Sequence, residues 1–128
     1  MMSVIHKFEG NKQESLYKWQ GVVPEPSLDP LIADYVKHIL IGPLDDAPNF
    51  IIRYFQITPG GHSPLHQHPH EHGVIILHGR AKVQLENKFH ELSPMDVAFI
   101  PGNELHQLIT LGDKPLGFIC VIPKQTQK

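Results

Sequence analysis

Gly60-Gly61-His62-Ser63-Pro64-Leu65-His66-Gln67-His68-Pro69-His70-Glu71-His72, closed by Gly79, is the stretch on which the reading of this chain turns. Six of the ten histidines fall between His62 and His78. Neutral imidazole offers a nitrogen lone pair near physiological pH, which makes histidine the commonest metal ligand. Spacing says more than density. In an extended chain the side chains alternate faces, so residues of equal parity share one face. His66, His68, His70 and His72 share parity, whereas Glu71 points the other way. His106 stands far downstream, after the turn Pro101-Gly102-Asn103-Glu104. Ligands from one local segment joined by one from a distant strand make a rigid metal cage.

These residues give the chain its resemblance to a known family, the cupins. The first cupin motif, G-x5-H-x-H-x3-4-E-x6-G, is matched by Gly60, His66, His68 and Gly79, with His72 in the Glu place. The second, G-x5-P-x-G-x2-H-x3-N, is met in register by Pro101 and His106. It departs at Met95 for the first Gly, Asn103 for the second and Thr110 for the final Asn. Asn103 can still supply a left-handed turn residue, because Asn tolerates that conformation better than most. The chain is most similar to small single-domain cupins with four histidine ligands, over residues 36 to 123. The resemblance implies an all-β, double-stranded β-helix (a jelly-roll barrel) holding one divalent metal on His66, His68, His72 and His106.

Other readings of the tract are weaker. A solvated histidine-rich loop would not account for His106 in the register of a second motif. H-x-H-x-D-H, the signature of a metallo-hydrolase, fails because His70 stands in the acidic place, and the zinc-protease H-E-x-x-H is absent. His62, His70 and His78 are expected to be non-ligands, since a site rarely needs more than four protein ligands. His6, His38 and His90 have no patterned neighbours and are expected at the surface. A bulge at Pro69 could instead swing Glu71 inward in place of His72.

Working outward, strands are expected at Val36–Ile41, Phe50–Ile57, Val74–Leu77, Ala81–Leu85, Phe89–Leu92, Val97–Ile100, Gln107–Thr110 and Gly117–Ile122. Short β-prone runs at regular spacing, with Gly or Pro between them, indicate an antiparallel sandwich or barrel. No stretch holds a helical period for ~11 residues. Three parts follow: an N-terminal arm over 1–35, packing on the barrel or a partner, the barrel over 36–123, and a tail over 124–128. Residues 1 to about 15 read as a loose arm. Pro24-Glu25-Pro26-Ser27-Leu28-Asp29-Pro30 should break regular structure, because proline removes a donor and restricts its predecessor.

Bulk properties narrow the function classes. At 128 residues there is room for one core. A hydrophobic content of 41% with 19% charged residues belongs to a globular chain. A net charge of −2 without a basic cluster argues against nucleic acid. No apolar run reaches the ~18 residues of a membrane span, and the first residues do not begin a secretory signal. The single cysteine, Cys120, fits a reducing cytoplasm.

Cys120 shares parity with Phe118 and Ile122 on the last strand, so Phe118 and Cys120 are candidate pocket residues; Arg53, a charge within an apolar strand, is a third. Histidine ligands suit manganese, iron, nickel, copper or zinc, with manganese or iron favoured by the resemblance. Four neutral imidazoles leave the full double charge on the metal, which favours the lower oxidation state of a redox ion. The expected function is an oxygen-using, dioxygenase-like oxidoreductase acting on a small chelating substrate such as an enediol. The competing readings are a non-catalytic binding module and a metal-dependent isomerase. A homodimer is expected, because a jelly roll leaves sheet edges that need covering, and cupin relatives often lay such an arm against a partner's sheet.

Overall fold

The computed structural model describes residues 2–125; the expected tail at 124–128 falls largely outside them. Nine strands among the described residues form two antiparallel sheets. The larger runs β1 (Glu25–Pro26), β2 (Val36–Ile41), β3 (Phe50–Ile57), β9 (Leu116–Pro123), β4 (His72–His78), β7 (Val97–Ile100). The smaller runs β6 (Lys88–Leu92), β5 (Arg80–Leu85), β8 (His106–Leu111). This is the expected jelly-roll barrel, and the strands from β2 onward begin and end within two residues of where Gly, Pro and polarity punctuate the chain.

Cross-strand register decides which side chains look inward. Arg53 pairs with Cys120, which pairs with Val74. One row over, Lys37 pairs with Phe55, Phe55 with Phe118, and Phe118 with Ile76. Residues directly opposite share a face of the sheet, so these rows form the inner wall. The small sheet answers with Ala81, Val83, Leu108 and Thr110, all buried. Ile57, Ile76, Ala81 and Leu116 are fully buried at the core. Each large aliphatic there contributes about 1.5–3 kcal/mol by leaving water. Gly79 closes the first motif at φ +74, where an added Cβ would collide with the Pro115 carbonyl.

The arm is more ordered than expected. Phe8 bridges Trp19 and Asn11 bridges Leu16, so the segment folds back as a narrow hairpin around a 3-10 turn at Lys12–Glu14. Its aromatic side chains cover the outer face of the large sheet of the same chain. Tyr17 stacks on Tyr54 at 5.3 Å and 10°, and Trp19 meets Tyr54 edge-on at 5.2 Å. His38, expected at the surface, is therefore buried, with its ring 5.9 Å from that of Trp19. The proline-rich stretch is not wholly irregular either: Glu25 and Pro26 pair with Lys37 and Val36 at the sheet edge, where a missing proline donor costs no ladder bond.

Candidate metal centre

His68, His72 and His106 each place a ring nitrogen within 4.8 Å of the other two. His72 opens β4 and His106 opens β8, so two sheets contribute, while His68 sits in the connecting loop. The loop is tied down by backbone bonds. His66 and His106 exchange N–H···O bonds of 3.0 and 2.9 Å, and Asn103 N–H donates to the His68 carbonyl at 2.6 Å. Asn103 adopts φ 65, the left-handed turn expected of it. Gly102 sits so close under Pro69 that a Cβ would strike its carbonyl oxygen. The two motifs are thus pressed together backbone to backbone, and Gln67 Nε2 adds a bond to the Asn103 carbonyl.

The outer ring nitrogens are all engaged. His68 Nδ1 lies 3.0 Å from the His70 carbonyl and His106 Nδ1 2.9 Å from the Glu104 carbonyl. A carbonyl only accepts, so each Nδ1 carries the proton and each Nε2 keeps its lone pair. His72 Nδ1 lies 2.8 Å from Cys120 Sγ. The Nε2 atoms of His68 and His72 then face each other at 2.9 Å. With Cys120 accepting from Nδ1–H, His72 would present a second lone pair beside that of His68, and such a donor set suits a divalent transition metal. Burial, then the nearby His106 and Arg53, push the His72 pKa down to about 3, so this imidazole is held neutral for a ligand's role. Burial likewise lowers His106.

The remaining candidates take distinct places. His66 is exposed and outside the three, its ring 5.9 Å from that of His68. His70 stacks on His68 at 3.7 Å and 7°. Glu71 points to solvent. His62 keeps Nδ1 on the Ser63 carbonyl, and His78 lies on the outer face, 2.6 Å from the Tyr54 hydroxyl. Phe118, Cys120 and Arg53 line a cavity of about 230 Å³ together with His66, His68, His70, His72 and His106. Arg53 donates from Nη2 to Cys120 Sγ at 3.1 Å, and its Cζ lies 4.9 Å from the centre of the Phe55 ring. Burial pushes the Cys120 thiol up, against the pull of Arg53. Tyr35, Lys37 and Phe55 also line the cavity. Reading single strands misses them; pairing Val36–Ile41 against Phe50–Ile57 as a hairpin would have put Lys37 beside Phe55.

Comparison with known proteins agrees with this geometry. The model of the Cupin_2 family, described as a cupin domain, matches residues 53–122. A protein of Rhodospirillum rubrum named 1-methylthio-D-xylulose 5-phosphate methylsulfurylase is 40% identical over 77 residues, 60% of this chain and 49% of that protein. The chain thus spans about half the length of this curated relative. The crystal structure of a cupin-2 domain from Rhodospirillum rubrum is 32% identical, with TM-score 0.80, covering 90% of this chain and 78% of that one. The polyketide cyclase RemF from Streptomyces resistomycificus is 26% identical with TM-score 0.78, over 98% and 81% of the two chains. Two motifs pressed into one histidine cluster, a jelly roll around them and a family match over more than half the chain give one conclusion: this protein belongs to the cupins.

Proposed function

We propose that this protein is a divalent-metal-dependent cupin enzyme acting on a small organic substrate that presents two oxygens to the metal. The observation that carries the reading is the convergence of His68, His72 and His106 in the wall of an otherwise largely apolar cavity of about 230 Å³. His66, beside them at the cavity edge, is proposed as the fourth ligand. When bound, a divalent metal, with manganese or iron favoured, would supply Lewis acidity and, for a redox ion, one-electron chemistry. The chain's own part is to hold the donors rigid, to keep His72 neutral and to line the substrate's space with apolar groups. Oxygen-using oxidation of a chelating enediol is the proposed reaction class, supported by the all-imidazole donor set.

Cys120 favours a second reading. A thiol in the cavity wall, and a 40% identical relative named as a methylsulfurylase, support oxygen-independent chemistry on a sulfur-bearing sugar phosphate. The deciding experiment is metal analysis of protein never exposed to added metal, followed by substrate screening in air and under argon. Oxygen uptake coupled to enediol loss supports the first reading. Thiol release under argon supports the second, and activity unaffected by metal removal would overturn both.

A homodimer is proposed as the working assembly. Its support is the row Met95, Val97 and Phe99, exposed by 74, 69 and 63% on or beside the edge strand β7. No helix among the described residues is long and apolar enough to cross a membrane.

A further inference from the structure

The cavity wall contains no aspartate or glutamate, yet it contains two basic side chains, Lys37 and Arg53. This is not the charge of the chain at large, which is −2. Both cations lie on the inner face of the large sheet, Lys37 in the row of Phe55 and Phe118, Arg53 in the adjacent row with Cys120. Both are only partly exposed. No carboxylate among the described residues lies within ion-pair distance of either; Glu25, opposite Lys37 on the edge strand, is exposed and unpaired with it.

Arg53 is short of acceptors in a second way. Guanidinium offers five N–H donors. Nη2 reaches only the Cys120 sulfur, a weak acceptor, and Nε is buried with no acceptor at all. Leaving a buried charged donor unmatched costs free energy that a correctly placed anion would offset. Phe55 holds the guanidinium from one side, and the planar fork suits two oxygens of one anionic group. The arginine stands two hydrogen bonds from a proposed ligand, through Cys120 to His72. A metal at the histidines would make this cavity more positive still.

We propose that Arg53 and Lys37 form an anion subsite, so that the substrate carries a phosphate or carboxylate a few bonds from the oxygens that reach the metal. The proposal rests on the metal-centre reading above and adds the substrate's charge to it. One good charge-assisted hydrogen bond contributes about 1.5–3 kcal/mol, so an anionic ligand should outbind its neutral analogue by roughly tenfold or more.

The test is calorimetric titration of manganese-loaded protein with dihydroxyacetone, dihydroxyacetone phosphate and 5-hydroxy-4-oxopentanoate. All three offer the same hydroxyketone; the last two add a phosphate or a carboxylate. The readout is the affinity ratio of anionic to neutral ligand. The expected result is a ratio of about ten or more for at least one anion, which also names the anion. The ratio should fall towards one in Arg53→Gln, fall part-way in Lys37→Met and be partly kept in Arg53→Lys. A ratio near one for both anions in the native protein overturns the proposal, as does a ratio retained by the Arg53→Gln, Lys37→Met double variant. Titrating metal-free protein with inorganic phosphate separates the two readings. Phosphate binding that is lost in the double variant supports the subsite even if manganese never binds. Failure of phosphate and both anions to bind a protein that does take up manganese overturns the subsite alone.

Discussion

The sulfur of Cys120 lies 2.8 Å from Nδ1 of His72. That contact sets a free cysteine directly against a proposed metal ligand. When Nε2 of His72 binds a metal, Nδ1 carries the proton and the sulfur is its acceptor, with Nε2 facing His68 across the shared site. Partners of this kind fix ligand orientation, and removing one typically costs about 10–100-fold in metal affinity. Cys120→Ala should therefore weaken manganese binding within that range, and Cys120→Ser should recover part of the loss. Equal affinities for all three proteins would reduce Cys120 to packing. The native thiol, 2% exposed and pushed up by burial, should also react with Ellman-type reagents only after unfolding.

The four histidines should not contribute equally to metal retention. His106 is buried and joins the second motif to the first, whereas His66 is exposed and outside the cluster of three. His106→Ala should lose most of its bound metal on gel filtration. His66→Ala should bind more weakly than native protein yet keep more metal than His106→Ala. Full retention by His66→Ala would limit the ligand set to three.

Much of this was legible before any coordinates. Gly42-Pro43, Pro59-Gly60, Gly79 and Pro101-Gly102 mark strand ends because each relieves or forbids a backbone conformation that ordinary residues share. Parity and the two motifs pointed to His66, His68, His72 and His106, of which the last three converge. What stayed hidden depends on cross-strand register and on covering contacts, neither of which a single segment encodes. Lys37 faces inward because it pairs with Phe55 across the β2–β3 hairpin. His38 is buried because Trp19, far upstream in the arm, lies edge-on to its ring.

The depressed His72 pKa sets the sign of the acid response. Its folded value is about 3, below the unfolded 6.5. Between those values the unfolded chain binds a proton at this position that the folded chain does not. Stability of the metal-free protein should thus be lost progressively as pH falls from about 6.5 towards 3. Metal should leave as the fold is lost over that window, because the ligands converge only in the folded protein and the unfolded chain's imidazoles take up protons in place of metal. Thermal melts and bound-metal assays from pH 7.5 to 4 check both. Stability unchanged between pH 7.5 and 4 would mean that the fold does not hold His72 neutral.

Met95 occupies the motif's first glycine place and retains the glycine conformation, at φ 75. A side chain in the left-handed region costs roughly 1–2 kcal/mol. Glycine there would relieve this but loses about 0.4–1 kcal/mol more in chain entropy on folding. Met95→Gly should therefore stabilise the protein by about 1 kcal/mol or less, seen as a higher denaturant midpoint with an unchanged slope. Destabilisation would mean that the exposed methionine side chain is covered in the native assembly.

The arm should respond to pH in the opposite sense to the metal site. His6 Nδ1 lies 2.8 Å from the Gln20 carbonyl, and His6 Nε2 2.8 Å from Asp45 Oδ1. Both partners accept, so only the doubly protonated, charged ring satisfies both. The Asp45 hydrogen bond accordingly raises the His6 pKa above its ordinary value. A raised histidine contributes its stabilisation fully below the unfolded pKa of about 6.5 and loses it as pH climbs through the folded value. The tether between arm and barrel should weaken on the alkaline side. Trp19, packed over Tyr54 and His38, reports on this. His38 and His78, the other imidazoles around this aromatic cluster, are pushed down by burial and stay neutral across that window. Tryptophan emission should shift red between pH 6 and 8.5, and the shift should vanish in His6→Gln. Emission that moves equally in the variant would assign the change to another group and leave the tether without a role.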